Sequence, residues 1–229
     1  MARTLFTSRL GGTSSPPFDS LNLALHVGDD SAAVAKNRET LASIVGLPRK
    51  QLFFMTQVHG HEVVVINKDS DSNQAPEADA LFTTVPGIAL VTLIADCTPL
   101  LLKSNRAVAA VHVGRKGLVA EVLEETLRVF KEHGIEPSDL DAEIGPSICA
   151  DCYEVDLQTY REVVEKNPAS ATDETRRCLD VAGGLKSRLE RYRINYKASE
   201  VCVNHTPGYF SYRRDGVTGR QAGVVWIQE

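Results

Sequence analysis

Two stretches decide the fold: Ile88-Ala89-Leu90-Val91-Thr92-Leu93-Ile94-Ala95 and Ala107-Val108-Ala109-Ala110-Val111-His112-Val113. Both are nearly continuous in apolar side chains, so neither has a face to give to water. Each reads as a strand covered on both sides, and strands of that kind need layers above and below them. Shorter β-branched runs at 61–66, 199–203 and 223–227 read as further strands. Helical spacing appears between them. Ser31 is placed to cap a helix with Val34, Leu41 and Val45 on one face and Gly46 at its end. Residues 118–133 set Leu118, Val122, Leu123, Leu127 and Phe130 in one stripe, with Gly134 as a stop and Pro137 beyond it. Asp180 is placed to open a third helix, although Gly183-Gly184 costs its first turn about 1 kcal/mol per glycine. A fourth is expected after Val155. The elements interleave without a strict β-α-β rhythm, which predicts an α/β protein with mixed sheets rather than a doubly wound fold. Residues 1–229 read as a single domain, since neither loop candidate, 68–78 or 167–177, is long enough to demand a boundary.

Composition narrows the function classes. The chain has 229 residues, 43% of them hydrophobic and 24% charged, the balance of a globular protein. Its size allows a core that needs no disulfide framework. A net charge of −5 and a pI of about 5.7 argue against nucleic acid and anionic lipid as partners, while leaving room for a local basic pocket that takes a small anion. No apolar run reaches membrane-spanning length, and Met1 to Thr7 holds no signal-like segment. Five cysteines without an export signal point to reduced thiols, chemistry or metal rather than structural bridges. A cytoplasmic protein is expected; its oligomeric state has no signal in the sequence.

The chemistry-bearing residues sit at the ends of the buried strands. The first strand runs into Asp96-Cys97-Thr98-Pro99, where Pro99 is expected to stop ladder pairing. The second ends in His112-Val113-Gly114-Arg115-Lys116-Gly117, and Gln57-Val58-His59-Gly60 lies upstream. A cysteine and two histidines beside turn residues suit a Cys-His₂ metal site with an open fourth position, for zinc or copper. The alternative is a buried Cys97 and two histidines hydrogen-bonded in turns. Cys149 and Cys152 form a C-x-x-C with no second pair after it. That favours a Gly-Pro turn packing two small thiols over half a zinc site or a redox pair. The tail Tyr209-Phe210-Ser211-Tyr212-Arg213-Arg214-Asp215-Gly216-Val217-Thr218-Gly219-Arg220 reads either as a base-stacking, phosphate-gripping segment or as a hairpin turn at Asp215-Gly216.

Taken together these segments resemble the laccase-domain, or multicopper polyphenol oxidase, family, which also includes purine nucleoside phosphorylases and peptidoglycan editing factors. The matching stretches are Ser20-Leu21-Asn22-Leu23 through His26-Val27-Gly28-Asp29-Asp30, Asn37-Arg38, Gln57-Val58-His59-Gly60 and Ala78-Asp79-Ala80. They continue with Ala95-Asp96-Cys97-Thr98-Pro99-Leu100, Ala110-Val111-His112-Val113-Gly114, Ile144-Gly145-Pro146 with Tyr153-Glu154-Val155, and Tyr212-Arg213-Arg214-Asp215 with Thr218-Gly219-Arg220. They are collinear from about residue 5 to residue 227. The resemblance implies His59, Cys97 and His112 as ligands of Zn2+, with Cu2+ in some members, and a layered α/β fold similar to the cysteine-hydrolase fold of cytotoxic necrotising factor toxins. It further implies phosphorolysis of adenosine, inosine and methylthioadenosine, and deamination of adenosine. Where the family usually reads H-A-G-W-R-G, this chain has Arg115-Lys116 in place of the Trp-Arg pair, which puts the substrate grip there in question. His61 falls at a position the motif leaves open.

Purine nucleoside and phosphate are thus the expected partners. Arg38, Lys116 and Arg213 are candidates to hold the phosphate oxyanion, and Asn22 and Gln57 count as further substrate contacts. A rival chemistry makes Cys97 a nucleophile with His112 as its base, in an amidase that removes L-serine from a peptidoglycan precursor, with Asp96 available to orient the base. Copper-dependent polyphenol oxidation is a further alternative, and a non-catalytic metal-binding or nucleoside-sensing protein is another.

Overall fold

Alternate side chains of a strand point to opposite faces, and in this chain each face of each sheet meets a different layer. The computed structural model describes residues 1–228. Its strands are β1 (Ala2–Phe6), β2 (Leu52–Phe53), β3 (Val63–Val65), β4 (Ala80–Thr83), β5 (Ala89–Ile94), β6 (Thr98–Lys103), β7 (Val108–Val113), β8 (Asp141–Ile144), β9 (Asn195–Ala198) and β10 (Gln221–Ile227). The α-helices are α1 (Ser31–Val45), α2 (Arg115–Val119), α3 (Val122–Glu132), α4 (Leu157–Lys166), α5 (Val181–Arg191) and α6 (Tyr212–Asp215). One sheet has the order β1-β10-β5-β2 and the other β3-β4-β7-β6-β8-β9. Both mix parallel and antiparallel pairs.

Three apolar clusters define the layers. Ala89, Val91 and Leu93 of β5 pack with Leu41 and Val45 of α1. Leu90, from the opposite face of β5, meets Leu101 of β6, Val108 and Ala110 of β7 and Val225 of β10 between the two sheets. Ala109, Val111 and Val113 of β7 turn the other way, toward Leu118, Leu123, Leu127 and Phe130 and the helices α4 and α5. The result is a single α/β domain in four layers: helix, sheet, sheet, helices. Full burial on both sides explains why β5 and β7 lack a polar face; each large side chain so covered contributes about 1.5–3 kcal/mol.

Several expectations are corrected. Pro99 does not end pairing, because β6 begins at Thr98 and pairs Pro99 with His112. Its carbonyl accepts the Gly145 N–H at 3.0 Å, so its missing donor faces the β8 side, where the ladder starts only at Leu100 opposite Ile144. The helix expected over 118–133 is two helices, broken where Glu121 takes φ 66°. The short α2 lies against the loop at Gly60, and the chain must turn before α3 can lay its apolar stripe on the sheet. The strand expected at 199–203 lies earlier, at β9, which pairs in parallel with β8. Cys202 and Val203 are buried by loop packing, with only an isolated bridge from Cys202 to Ser147. The tail forms α6, capped by Ser211 and closed by Gly216, rather than a hairpin. The side chain that caps α1 is Asp30, one residue before Ser31.

Candidate metal and catalytic site

The end of β5, the start of β6 and the end of β7 meet at one rim of the two sheets. Between β5 and β6 the chain crosses from one sheet to the other through Asp96, whose φ of 102° is strained for a residue with a side chain. Three bonds hold it there. Its carboxylate accepts from the Ser211 hydroxyl (2.5 Å) and the Arg213 N–H (2.7 Å), and its carbonyl accepts from the Ile148 N–H (2.8 Å). This turn delivers Cys97 to the rim.

His59 arrives from the loop after β2. The Gln57 side-chain amide donates to the Leu93 carbonyl and accepts from the Leu93 N–H, both at 2.7 Å, tying the loop to β5. The buried Asp79 carboxylate accepts the N–H groups of Val58 (3.3 Å), His59 (3.0 Å) and Gly60 (2.6 Å), holding His59 at φ 62°. Asp79 Oδ1 also lies 2.7 Å from His112 Nδ1. An ionised carboxylate only accepts, so His112 donates from Nδ1 and presents Nε2 to the rim. The ligand atoms of His59, Cys97 and His112 all lie within 4.8 Å of one another, with Cys97 Sγ 3.8 Å from His59 Nε2. Gly114 makes the approach possible, since a Cβ there would stand 2.9 Å from His59 Cδ2 and 3.3 Å from Cys97 Sγ.

The charges are set by this packing. Burial pushes the Cys97 thiol up, but the charge and hydrogen bond of His112, with help from His59, bring it down to about 6. Burial pushes His112 down, and the Cys97 and Asp79 charges more than reverse this, raising it to about 9. A thiolate and two imidazoles with a carboxylate behind one of them form a donor set able to hold a transition metal, beside the adjoining cavity.

That cavity measures about 540 Å³ and is lined by the three residues together with His26, Gln57, Asp96, Tyr153, Tyr212, Arg213 and Arg220. Arg213 is exposed and reaches over the Tyr153 ring, 5.3 Å from its centroid, with Nη1 bonded to the Glu154 carbonyl at 2.8 Å. Arg220 stands 5.9 Å from the Tyr212 ring. Burial, then the charges of Arg220 and Arg38, lower the His26 pKa.

Of the residues expected at the site, His59, Cys97, His112, Gln57 and Arg213 line the cavity, with the Gln57 amide bonded to β5. Asn22, Arg38 and Lys116 lie outside its lining. Asn22 is fully buried and bonds Ala24, Asp29 and the Arg220 N–H, so it sets the backbone under Arg220. Arg38 donates to the Leu23 carbonyl and covers the Phe54 ring at 3.9 Å; burial, then Arg49, lower its pKa to about 10. Lys116 is exposed on α2. Sequence reasoning gave no role to Asp79, His26 or Tyr153, whose only signal was a place in the matching motifs; Tyr212 and Arg220 belong to the tail read as a base-stacking, phosphate-gripping segment, and both line the cavity. The carboxylate that faces His112 is Asp79, and Asp96 turns to Ser211 and Arg213 instead.

The family described as multi-copper polyphenol oxidoreductase laccase matches residues 3–228. A protein of Streptomyces coelicolor named purine nucleoside phosphorylase is 41% identical over 97% of this chain and 94% of its own. One of the same name from Corynebacterium glutamicum is 42% identical over 98% and 94%. Such similarity to enzymes over nearly their whole length marks the chain as an enzyme. Among solved structures, YlmD from Geobacillus stearothermophilus superposes with a TM-score of 0.93 at 29% identity, covering all of this chain and 92% of that one.

Proposed function

We propose, since the chain belongs to the multi-copper polyphenol oxidoreductase laccase family, that it is a zinc-dependent purine nucleoside phosphorylase acting on adenosine, inosine and methylthioadenosine. The observation that carries the reading is one cavity joining a Cys-His₂ donor set to two arginines and two tyrosines, in a chain whose curated relatives bear that name. In the reaction the bond from the sugar C1′ to the purine nitrogen breaks, and a phosphate oxygen bonds to C1′. The products are the free base and the sugar 1-phosphate, ribose 1-phosphate from adenosine and inosine and 5-methylthioribose 1-phosphate from methylthioadenosine. Arg213 and Arg220 hold the phosphate dianion, since a guanidinium offers a planar pair of donors to an oxyanion. Tyr153 and Tyr212 offer ring faces to the purine. Burial, with the Cys97 charge, holds the Tyr153 hydroxyl protonated despite Arg115, so it remains a donor to the departing base. His59, Cys97 and His112 would hold the zinc, which when bound would supply Lewis acidity at this site. Deamination of adenosine is the companion activity at the same site.

Chromatography of adenosine and inosine reactions with and without phosphate tests the reading. Base release together with ribose 1-phosphate, only when phosphate is present, is expected. Equal release without phosphate would mean hydrolysis and overturn it.

One observation favours a second reading. Cys97, His112 and Asp79 stand in the order of a nucleophile, its base and an orienting carboxylate, which suits an amidase that removes L-serine from a peptidoglycan precursor. Full activity in chelator, with an acyl-Cys97 adduct seen by mass spectrometry, would decide for it.

A further inference from the structure

A second cluster of donors stands apart from the cavity lining and takes no part in the chemistry above. Cys149 and Cys152 follow the Gly145-Pro146 turn, and the Cys152 N–H donates to the Cys149 carbonyl at 3.1 Å. The segment at Cys202 lies alongside, with the Ser147 N–H on the Val201 carbonyl (3.3 Å) and the Val203 N–H on the Ser147 carbonyl (3.1 Å). The chain then turns back on Cys202, whose carbonyl accepts the N–H groups of His205 (3.2 Å) and Thr206 (3.1 Å). This turn sets His205 Nε2 2.9 Å from Cys152 Sγ. The ligand atoms of Cys149, Cys152, Cys202 and His205 all lie within 4.8 Å of one another. The C-x-x-C thus faces a C-x-x-H, Cys202 to His205, more than forty residues away.

We propose that these four side chains bind a second zinc ion, structural in role and closed to substrate. Three soft thiolates and an imidazole, two pairs each spaced by two residues, form a Cys₃His set of the kind that takes zinc in a tetrahedron with no open position. The sulfurs are already met by donors, as thiolates on a metal usually are: the Cys149 N–H reaches Cys202 Sγ at 3.3 Å, and Asn204 Nδ2 reaches Cys152 Sγ at 3.3 Å. A spread of 4.8 Å suits one ion, whereas an iron–sulfur cluster divides its ligands among several irons.

Placement gives the ion its task. It joins the loop after β8 to the loop after β9, and both loops support the Asp96 turn. Ile148, one residue before Cys149, donates to the Asp96 carbonyl. Arg214 binds the Val203 carbonyl at 2.8 Å and the Tyr209 carbonyl at 2.7 Å, and so ties the Cys202 loop to the α6 segment whose Ser211 and Arg213 hold the Asp96 carboxylate. The zinc is thus a clamp on the frame that presents Cys97.

Elemental analysis of protein purified under reducing conditions tests the proposal independently of the cavity site. The His59→Ala/His112→Ala protein is expected to keep about one zinc per chain, and adding Cys152→Ser is expected to remove it. Because His205 is exposed, His205→Ala in the unmodified background serves as a milder variant, with loss of about one equivalent expected. Cobalt loaded into the His59→Ala/His112→Ala protein should show thiolate charge transfer that weakens stepwise with each Cys→Ser change. A folded His59→Ala/His112→Ala protein without zinc, unchanged zinc in His205→Ala, iron or copper in place of zinc, or a disulfide among Cys149, Cys152 and Cys202 would overturn the proposal.

Discussion

Asp79 Oδ1 stands 2.7 Å from His112 Nδ1, while the same buried carboxylate takes three successive backbone N–H groups from Val58 to Gly60. One side chain thus fixes the ring orientation of one histidine and the backbone of the other, although Asp79 itself lies outside the cavity lining. Its replacement by Asn keeps the shape but loses the charge that makes Nε2 of His112 a strong donor. Asp79→Asn is expected to weaken metal binding at His59, Cys97 and His112 by about 10–100-fold, measured by competition with a chromophoric chelator. Unchanged affinity would show that the carboxylate does not act on the ligands.

Acid stability follows from the same group. Burial pushes the Asp79 carboxyl up, but the hydrogen bond from His112 and the amides of Gly60 and His59 outweigh it, leaving the carboxyl below its ordinary value. A depressed native pKa means that the unfolded state binds more protons. The stabilisation is therefore present above the unfolded value of about 3.9 and lost as pH falls through the native one. Urea unfolding between pH 3 and pH 6 should show stability falling at the acid end, with a smaller fall in Asp79→Asn.

Cys97 and His112 give a distinct signature once metal is removed. The thiol is drawn down to about 6 and the imidazole raised to about 9, so between these values the native pair is thiolate and imidazolium. Its unfolded counterpart near pH 8 is thiol and neutral imidazole, which carries the same number of protons, so stability should be nearly flat there. Reactivity should not be flat. Iodoacetamide labelling of Cys97 in chelator should rise with a midpoint near pH 6, and metal should suppress it, because a coordinated thiolate shares its charge.

Gly114 tests how closely the ligands must approach. Its φ of −85° and ψ of 170° suit any residue, so Gly114→Ala should fold. The added methyl collides with His59 and crowds Cys97, and displacement on the scale of 1 Å is expected to lower kcat/KM by about 100-fold. A far-ultraviolet circular dichroism spectrum and melting curve like those of the parent, beside the kinetic loss, would separate misplacement from unfolding.

For phosphate, the cavity distinguishes cations that the sequence left equal. Arg213→Ala and Arg220→Ala should each raise the phosphate KM by about 10–100-fold, the worth of a charge-assisted hydrogen bond. Lys116→Ala, at an exposed position outside the lining, should leave it within twofold or so, as expected of a surface change. Steady-state kinetics at saturating nucleoside make the comparison, and an equal loss in Lys116→Ala would return that lysine to the site.

What could be read in advance divides along sequence distance. β5 and β7 were legible because burial on both faces leaves an unbroken apolar run, and α5 because Asp180 marks its start. β8, Asp141-Ala142-Glu143-Ile144, carries too much charge to announce itself, and β6 was hidden behind Pro99. His59, Cys97 and His112 showed as residues beside turns, and the resemblance raised them to a set. Their support did not show: Asp79 acts on His112 from 33 positions away, and Ser211 on Asp96 from 115. Cys202 and His205 joined the C-x-x-C in the same long-range way. Pairings of this kind leave no local period, so only the folded chain displays them.

The order of the first sheet bears on how the protein is made. β10, the last strand, lies between β1 and β5, and β1 pairs with it alone, Ala2 opposite Ile227. During synthesis β5 therefore waits with an open edge and an uncovered apolar face until residues 221–227 have left the ribosome. His59, Cys97 and His112 are all translated by residue 112, yet Arg213, Arg220 and β10 follow about a hundred residues later. A nascent chain can hold the reactive thiol well before it has the wall that selects a substrate. Such long-range closure is intrinsically slow, and the interval before it is when the exposed β5 edge is open to wrong partners.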